Sequence, residues 1–315
     1  MKRRLSQSKR LLSLLLAIVM VAAMLPTAFA AEDAKFVIGP YLLAPKTTSM
    51  VAVWETDTGD ATTIRWGTDA NALGEPITVE RDPSAPSYGG TPTNIFRYKF
   101  TDLEPGARYY YEVALAGGES CKGTFRTLEE NPEEVRYISI TDTHKFDTKS
   151  TFDKAVADYD PAFIIHGGDM VEGTGTQKEQ YAFWFNSGEF IHNYPVVYAC
   201  GNHDFSDYFD MYVIDTQTEE YGSVVEGNIA FDYGDIHFDL MDSNPWALFQ
   251  MNAETSGGKM DAATADKIEK SVQWLKDDLA KNQDKKFRIL VMHHPISDPY
   301  TKMHIASVAE AGHVD

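Results

Sequence analysis

Four short stretches of this 315-residue chain carry side chains of the kinds that hold metal ions and transfer protons. The densest is Cys200-Gly201-Asn202-His203-Asp204, directly after the apolar run 194–199. Gly201 permits a sharp turn that few other residues allow. The turn presents an amide oxygen, an imidazole and a carboxylate from three successive positions. Alone the tripeptide is ordinary, since Asn, His and Asp all favour turns. The pattern, however, recurs. The apolar run 137–140 leads to Asp142 and His144, the run 162–165 to His166 and Asp169, and the run 288–292 to His293 and His294. Four strands that end in His, Asp or Asn describe one site at the edge of a sheet.

Carboxylates and neutral oxygens suit hard divalent cations, and imidazole adds affinity for manganese, iron and zinc. Asp142 and His144 stand two apart on an extended segment, so both can face one ion. Asp169 follows two glycines that let the backbone approach closely, and a carboxylate there can bridge two ions. One ion would then take Asp142, His144 and Asp169, and the other Asp169, Asn202 and His293, with His294 the alternative to His293. Any one of these residues by itself would be a turn residue or a helix cap. Only the ordered set points to a metal centre. His166, His192, His237 and His304 read as structural or surface residues, and Lys145 and Glu172 as solvated.

The elements that must position these residues change in grammar along the chain. Between residues 36 and 128 short strands alternate apolar and polar residues in the manner of half-buried strands, for example 49–56, 62–66 and 94–100. Trp54, Trp66, Phe96 and Tyr98 read as core. The segment 81–93, with three prolines and two glycines, reads as an irregular insertion. The charged stretch 129–134 reads as a linker. Beyond it strands alternate with helices, which predicts mixed sheets flanked by helices. Helices are expected over 150–159 with Ser150 as cap, over 176–188, and over 265–281 with Ile268, Val272, Leu275 and Leu279 on one face. A hairpin is expected over 228–241, turning at Tyr233-Gly234-Asp235.

The first thirty residues stand apart. Lys2, Arg3, Arg4, Lys9 and Arg10 precede an apolar run, 11–25, broken only by Ser13, and Ala28-Phe29-Ala30 supplies small residues suited to cleavage. At 15 residues the run is short for a bilayer span. It reads as a cleaved export signal, an uncleaved anchor being the alternative. The mature chain would then carry no transmembrane span and would be secreted or held at the cell surface. Removing five positive charges takes the formal charge from −19 to −24. So acidic a chain repels long nucleic acid and anionic membranes, and a phosphate-bearing substrate must be drawn by a local positive centre such as bound metal. Cys121 and Cys200 fall in different regions, and nothing in their spacing supports a disulfide.

Residues 135–315 resemble the calcineurin-like metallophosphoesterases. That family's ordered motifs appear as Asp142-Thr143-His144, Gly168-Asp169, Gly201-Asn202-His203-Asp204 and His293, and the phrases at 231–234 and 273–275 are similar as well. The stretch Leu103-Glu104-Pro105-Gly106-Ala107-Arg108-Tyr109 resembles the tyrosine corner of a fibronectin type III domain over 35–128. The layout is similar to purple acid phosphatases, with one departure. Those enzymes carry Tyr three residues after the bridging Asp, where this chain has Glu172, so the non-purple branch is the better match. The resemblance implies an all-β sandwich followed by an α/β metallophosphoesterase domain. It further implies two divalent ions (Mn, Fe or Zn), a small phosphate-ester substrate and attack by metal-bridged hydroxide. It makes His203 the general acid for the leaving group, with Asp204 orienting it.

The family's last motif, Gly-His-x-His, has no copy here. Gly312-His313-Val314-Asp315 reads either as a damaged copy with Asp315 replacing the final His, or as the helix end and turn before a further strand. The second reading is preferred. It predicts a metallophosphoesterase domain incomplete at its C-terminus, with weak metal binding and little or no turnover for residues 31–315 alone. The rival to an exported phosphoester hydrolase is a non-catalytic cell-surface binding protein.

Overall fold

In the computed structural model, residues 33–315 are described except 84–86, 89–90, 174–176, 205 and 226. The export-signal reading of residues 1–30 and part of the expected insertion lie outside them. The N-terminal region holds β1 (Phe36–Leu43), β2 (Met50–Thr56), β3 (Ala61–Gly67), β4 (Ile77–Glu80), β5 (Ser87–Tyr88), β6 (Thr91–Pro92), β7 (Asn94–Phe100), β8 (Arg108–Ala114) and β9 (Ser120–Arg126). Strands β1-β2-β7 form one antiparallel sheet and β4-β3-β8-β9 another, with β5 and β6 a minor pair. Their core is aromatic: Trp54, Phe96, Phe100, Tyr109, Tyr111 and Phe125, with Trp66 and Tyr98 packed against it. The Tyr109 hydroxyl accepts the Glu104 N–H at 2.9 Å, closing the corner its motif predicts.

One strand departs from expectation. Every residue of β2 is buried, not half of them. Alternation persists, but both faces are covered. Met50, Ala52 and Trp54 enter the sandwich core, whereas Val51 and Val53 join a second core built largely from residues 152–214. Polar ties reinforce this junction. The Tyr212 hydroxyl donates to buried Glu55 at 2.7 Å, which also meets Lys178 at 2.8 Å. Glu220 pairs with Lys46 at 2.9 Å and Lys99 at 2.8 Å. The two regions therefore share an apolar interior.

Residues 129–134 carry no helix or strand. Beyond them β10 (Tyr137–Ile140), β11 (Phe163–His166) and β12 (Val196–Tyr198) form a parallel sheet. Strands β13 (Ile229–Tyr233) and β14 (Ile236–Met241) form the expected hairpin, and β15 (Phe287–Met292) joins β14 in parallel. The two sheets bury Phe163, Ile165 and Val197 against Ile229, Phe231, Phe238 and Leu240. Helices flank them: α1 (Lys149–Tyr159), α2 (Gln177–Phe185), α3 (Phe190–Asn193), α4 (Asp207–Phe209 continuing through a wide π-helical turn into Asp215–Tyr221), α5 (Pro245–Gln250 and Met251–Thr255), α6 (Ala262–Lys281) and α7 (Pro299–Gly312). No helix among the described residues is long and apolar enough to cross a membrane.

Three helix boundaries need correction. Helix α1 begins at Lys149, before Ser150, because the Asp147 carboxylate accepts the Lys149 N–H at 3.0 Å and starts the turn earlier. Helix α2 stops at Phe185 because Asn186 turns to the first sheet, accepting from Gly39 N at 3.0 Å and donating to Val37 O at 2.9 Å. Helix α6 starts on Asp261, whose carboxylate accepts the Ala263 and Thr264 N–H groups at 3.0 and 2.9 Å. It buries Ile268, Leu275 and Leu279, with Val272 half-buried beside them. Cys121 and Cys200 are both free thiols.

Candidate metal centre

Parallel pairing aligns Ile140, His166 and Tyr198 at one edge of the β10-β11-β12 sheet. The chemistry-bearing residues follow at once: Asp142 and His144 after β10, Asp169 after β11, and Asn202, His203 and Asp204 after β12. His293 directly follows β15 in the other sheet. The loops are tightly curled. Asp142 (φ 55°), His144 (φ 47°) and Asp169 (φ 58°) all hold left-handed backbone conformations, which cost energy and concentrate at functional sites. Two hydrogen bonds lock the first two loops together, Asp142 N to Gly168 O at 3.0 Å and His144 N to Asp169 O at 2.9 Å. The third loop presses closer still. A Cβ on Gly201 would fall 2.2 Å from both the N and Oδ1 of Asp169, so only glycine fits.

The imidazoles follow one rule. A carbonyl oxygen can only accept, so a ring nitrogen against it carries the proton. His144 Nδ1 lies 3.1 Å from Val171 O, His293 Nδ1 3.1 Å from Gly167 O, and His203 Nδ1 2.5 Å from Glu172 O. In each ring Nε2 is left facing the shared space. His293 Nε2 stands 3.0 Å from Asn202 Oδ1 and 3.4 Å from Asp169 Oδ2, and His203 Nε2 stands 3.8 Å from that same Oδ2. Ligand atoms of Asp142, His144 and Asp169 lie within 4.8 Å of one another. Both sequence-predicted triplets are therefore gathered, with Asp169 common to the two.

Electrostatics fit a cation. Burial raises the Asp169 pKa, but the His293 hydrogen bond and the His203 N–H outweigh it and hold the carboxyl below its ordinary value. Burial lowers the His293 pKa, yet Asp169 more than compensates. Nitrogen and oxygen donors, one of them a carboxylate positioned for sharing, match Mn, Fe or Zn. The residues present thus fit a divalent metal.

Asp204 does something other than expected. Its carboxylate is fully buried and accepts three backbone N–H groups, from Asp169 at 2.6 Å, Met170 at 2.8 Å and Gly201 at 3.0 Å. The His203 ring is held by Glu172 O instead, because the turn curls around Asp204 and points its side chain inward. Asp204 therefore fastens the Asp169 loop to the Asn202 turn. Burial pushes its pKa up to about 6, opposed by the Gly201 N–H and assisted by the Asp169 charge.

Sequence reasoning undervalued two residues. His166 is buried, accepts the Gly168 N–H at Nδ1 (3.2 Å), and donates from Nε2 to Thr143 Oγ1 (2.8 Å). Burial pushes its pKa down to about 3, so this neutral ring braces two ligand loops. Its place in an apolar strand was the available signal. Asn244 drew no notice, yet its Nδ2 donates to Gly201 O at 3.1 Å and buttresses the third loop. His294 turns toward Ser243 Oγ at 2.7 Å, away from the ligand set. Glu172 and Lys145 pair at 3.4 Å while solvated, as expected. His192 bonds Pro40 O, and His304 bonds Gln250. His313 caps α7, and Asp315 accepts Arg288 N at 3.1 Å, at the end of β15 remote from His293. That position does not favour the alternative reading of Asp315 as a ligand.

Imidazoles, carboxylates and an amide converging at the carboxyl ends of parallel strands make a candidate metal-ion centre on an α/β sandwich. The particular kinship follows from the sequence. The calcineurin-like phosphoesterase family profile matches residues 135–315, and the chain belongs to that family. Residues 40–127 match the purple acid phosphatase N-terminal domain. Among solved structures the chain is similar in fold to PhoD, at 13% identity and a TM-score of 0.51, over 81% of this chain and 61% of that one. The chain thus spans less than two thirds of that relative's length. The sensor domain of the anti-sigma factor RsgI4 from Pseudobacteroides cellulosolvens aligns over 31% of this chain and 97% of its own, at 17% identity and a TM-score of 0.22. No curated protein matches the sequence.

Proposed function

We propose that this chain is an exported phosphoester hydrolase with a dinuclear metal centre. The observation that carries the reading is the convergence of the His203 and His293 Nε2 atoms on Asp169 Oδ2, with ligand atoms of Asp142 and His144 within 4.8 Å of the same carboxylate. Asp142, His144 and Asp169 would hold one ion, and Asp169, Asn202 and His293 the other. When bound, such ions supply Lewis acidity toward phosphoryl oxygens and a hydroxide nucleophile near neutral pH. The remaining chemistry belongs to the chain. Glu172 O fixes the His203 ring by accepting from Nδ1, so that the doubly protonated ring can deliver its Nε2 proton to the departing alkoxide and remain as the neutral Nδ1–H imidazole. Asp204 and His166 keep the ligand loops in register. The acidic surface disfavours long polyanions, so a small phosphate ester is the substrate class. The family supports hydrolysis, and the N-terminal sequence pattern supports export.

The test is metal content and turnover of chromogenic mono- and diesters with Mn²⁺, Fe²⁺ or Zn²⁺ supplied in excess. Asp169→Asn is expected to remain folded, to lose both ions and to show no turnover at any metal concentration. Undiminished metal binding or activity in that variant overturns the shared-ligand assignment. Two bound ions with no turnover of either ester would favour the binding-protein reading.

A further inference from the structure

At the end of the β14–β15 ladder away from His293, another group of ionisable side chains lies between strand β14 and helix α6. Strand alternation puts His237 and Asp239 on one face of β14. Asp232 stands opposite His237 across the hairpin, and α6 brings Asp278 over them. One ligand atom from each of His237, Asp239 and Asp278 lies within 4.8 Å of the others.

Two features separate this group from a surface ion-pair cluster. The Asp239 side chain is 0% exposed, and neither of its oxygens has a hydrogen-bond partner among the described residues. His237 Nε2 stands 3.6 Å from its Oδ1. Burying a carboxylate in that condition costs several kcal/mol unless a cation neutralises it. The second feature is Asp232, whose Oδ1 holds His237 Nδ1 at 2.7 Å. A carboxylate behind an imidazole fixes the proton on Nδ1 and aims Nε2 forward, the arrangement found behind metal-binding histidines. Here Nε2 is aimed at Asp239 and Asp278.

Charge points the same way. Lys285 meets Asp232 at 2.7 Å, which leaves Asp239 and Asp278 to share the one positive charge of a His237 ring whose two nitrogens face carboxylates at 2.7 and 2.5 Å. A divalent ion balances both, whereas a proton on His237 balances only one. We propose that His237, Asp239 and Asp278 form a structural site for a divalent ion of the Zn²⁺ or Mn²⁺ class, clamping the end of α6 onto β14. One imidazole with two carboxylates suits those ions better than Mg²⁺ or Ca²⁺. Tetrahedral bonds of about 2.0–2.1 Å set ligand atoms roughly 3.4 Å apart. The His237–Asp239 pair, at 3.6 Å, already stands near that spacing. Asp278 Oδ2, at 2.5 Å from Nε2, must withdraw by about 1 Å, which a 20% exposed side chain on a helix surface can do. Asn282, whose Nδ2 lies 3.2 Å from Nε2, would turn to Asp278 alone, which it already meets at 3.1 Å.

The test uses Zn²⁺ and the full chain carrying Asp142→Asn and Asp169→Asn, which empties the first centre. Atomic emission after gel filtration is expected to find one retained ion per chain, with a melting temperature raised by added Zn²⁺. Adding Asp278→Asn, a change on the helix surface, should abolish both. In the otherwise unsubstituted chain, Asp278→Asn alone should lower the Zn²⁺ count by one. No retained ion in the first variant, or counts and melting temperatures indifferent to Asp278→Asn, would overturn the site.

Discussion

Replacing Gly201 by alanine adds one methyl group at the tightest point of the centre. That methyl would lie 2.2 Å from Asp169 N and Oδ1 and 2.9 Å from Asp169 Cγ. Carbon does not approach these atoms closer than about 3.2 Å, so one segment must retreat by roughly 1 Å. Neither side moves freely. Asp169 N is bound to Asp204 Oδ2 at 2.6 Å and Asp169 Oδ1 to His203 N at 2.8 Å. Gly201 N is bound to that same Asp204 Oδ2 at 3.0 Å, and the Gly201 backbone abuts Gly168. Separation breaks at least one bond to a buried carboxylate, worth about 1.5–3 kcal/mol, on top of about 1–3 kcal/mol for overpacking. A loss of about 3–5 kcal/mol is expected, or roughly 10 °C in melting temperature for a domain of this size. Because the shift parts Asn202 from Asp169, metal affinity should fall about 10–100-fold as well. Thermal melts and metal-binding calorimetry would measure both, with Gly258→Ala as control, since its Cβ meets nothing closer than 3.4 Å. A Gly201→Ala chain as stable as that control, with unaltered metal affinity, would refute the packing argument.

His203→Ala should slow hydrolysis of esters with poor leaving groups by about 10²–10⁴-fold, and far less with acidic leaving groups, while metal content stays constant. Equal losses on both ester types, read from kcat, would make the ring a structural element. Burial raises the Glu220 pKa, but Lys99 and Lys46 outweigh it and leave the carboxyl below its ordinary 4.5. Its pairing therefore stabilises the junction fully above that value and fades as pH falls through the depressed one. Glu220→Gln should cost about 1 kcal/mol in urea unfolding at pH 7, and the gap should narrow below pH 4.5. A gap equal at both pH values would contradict the assignment.

How far the sequence reveals this site depends on what each residue's role requires. A residue at the carboxyl end of a strand needs only the strand and its terminating residue to be placed, so the gathering of Asp142, His144, Asp169, Asn202 and His293 is legible from short motifs. The aromatic core of the sandwich is legible for the same local reason. Asp204 is not, because its neighbour in sequence is His203 while two of its three partners come from residues 169 and 170 on another loop. Strand β2 looked half-buried because alternation alone cannot report that its second face is covered by another part of the chain. His237 and Asp239 could be placed on one face by period, but Asp278 joins them only through the packing of α6 on β14.

The geometry of the first centre depends on a core that contains none of its ligands. Asp142, Asp169 and Asn202 hang from one sheet, and His293 hangs from the other. Only His293 ties the ligand set across the sheets, through Nε2 to Asn202 Oδ1 at 3.0 Å and Asp169 Oδ2 at 3.4 Å and through Nδ1 to Gly167 O at 3.1 Å. The interior does the rest. The Phe163 ring meets Phe231, Tyr233 and Phe238 edge-on, and Tyr137 stacks on Phe163 from its own sheet. Interiors packed to this density resist small displacements, because a gap of 0.5–1 Å forfeits about a quarter to a half of each contact's attraction. A rigid aromatic interior therefore sets the separation at which imidazole and carboxylate meet, so the centre's precision originates in the sheet packing beneath it.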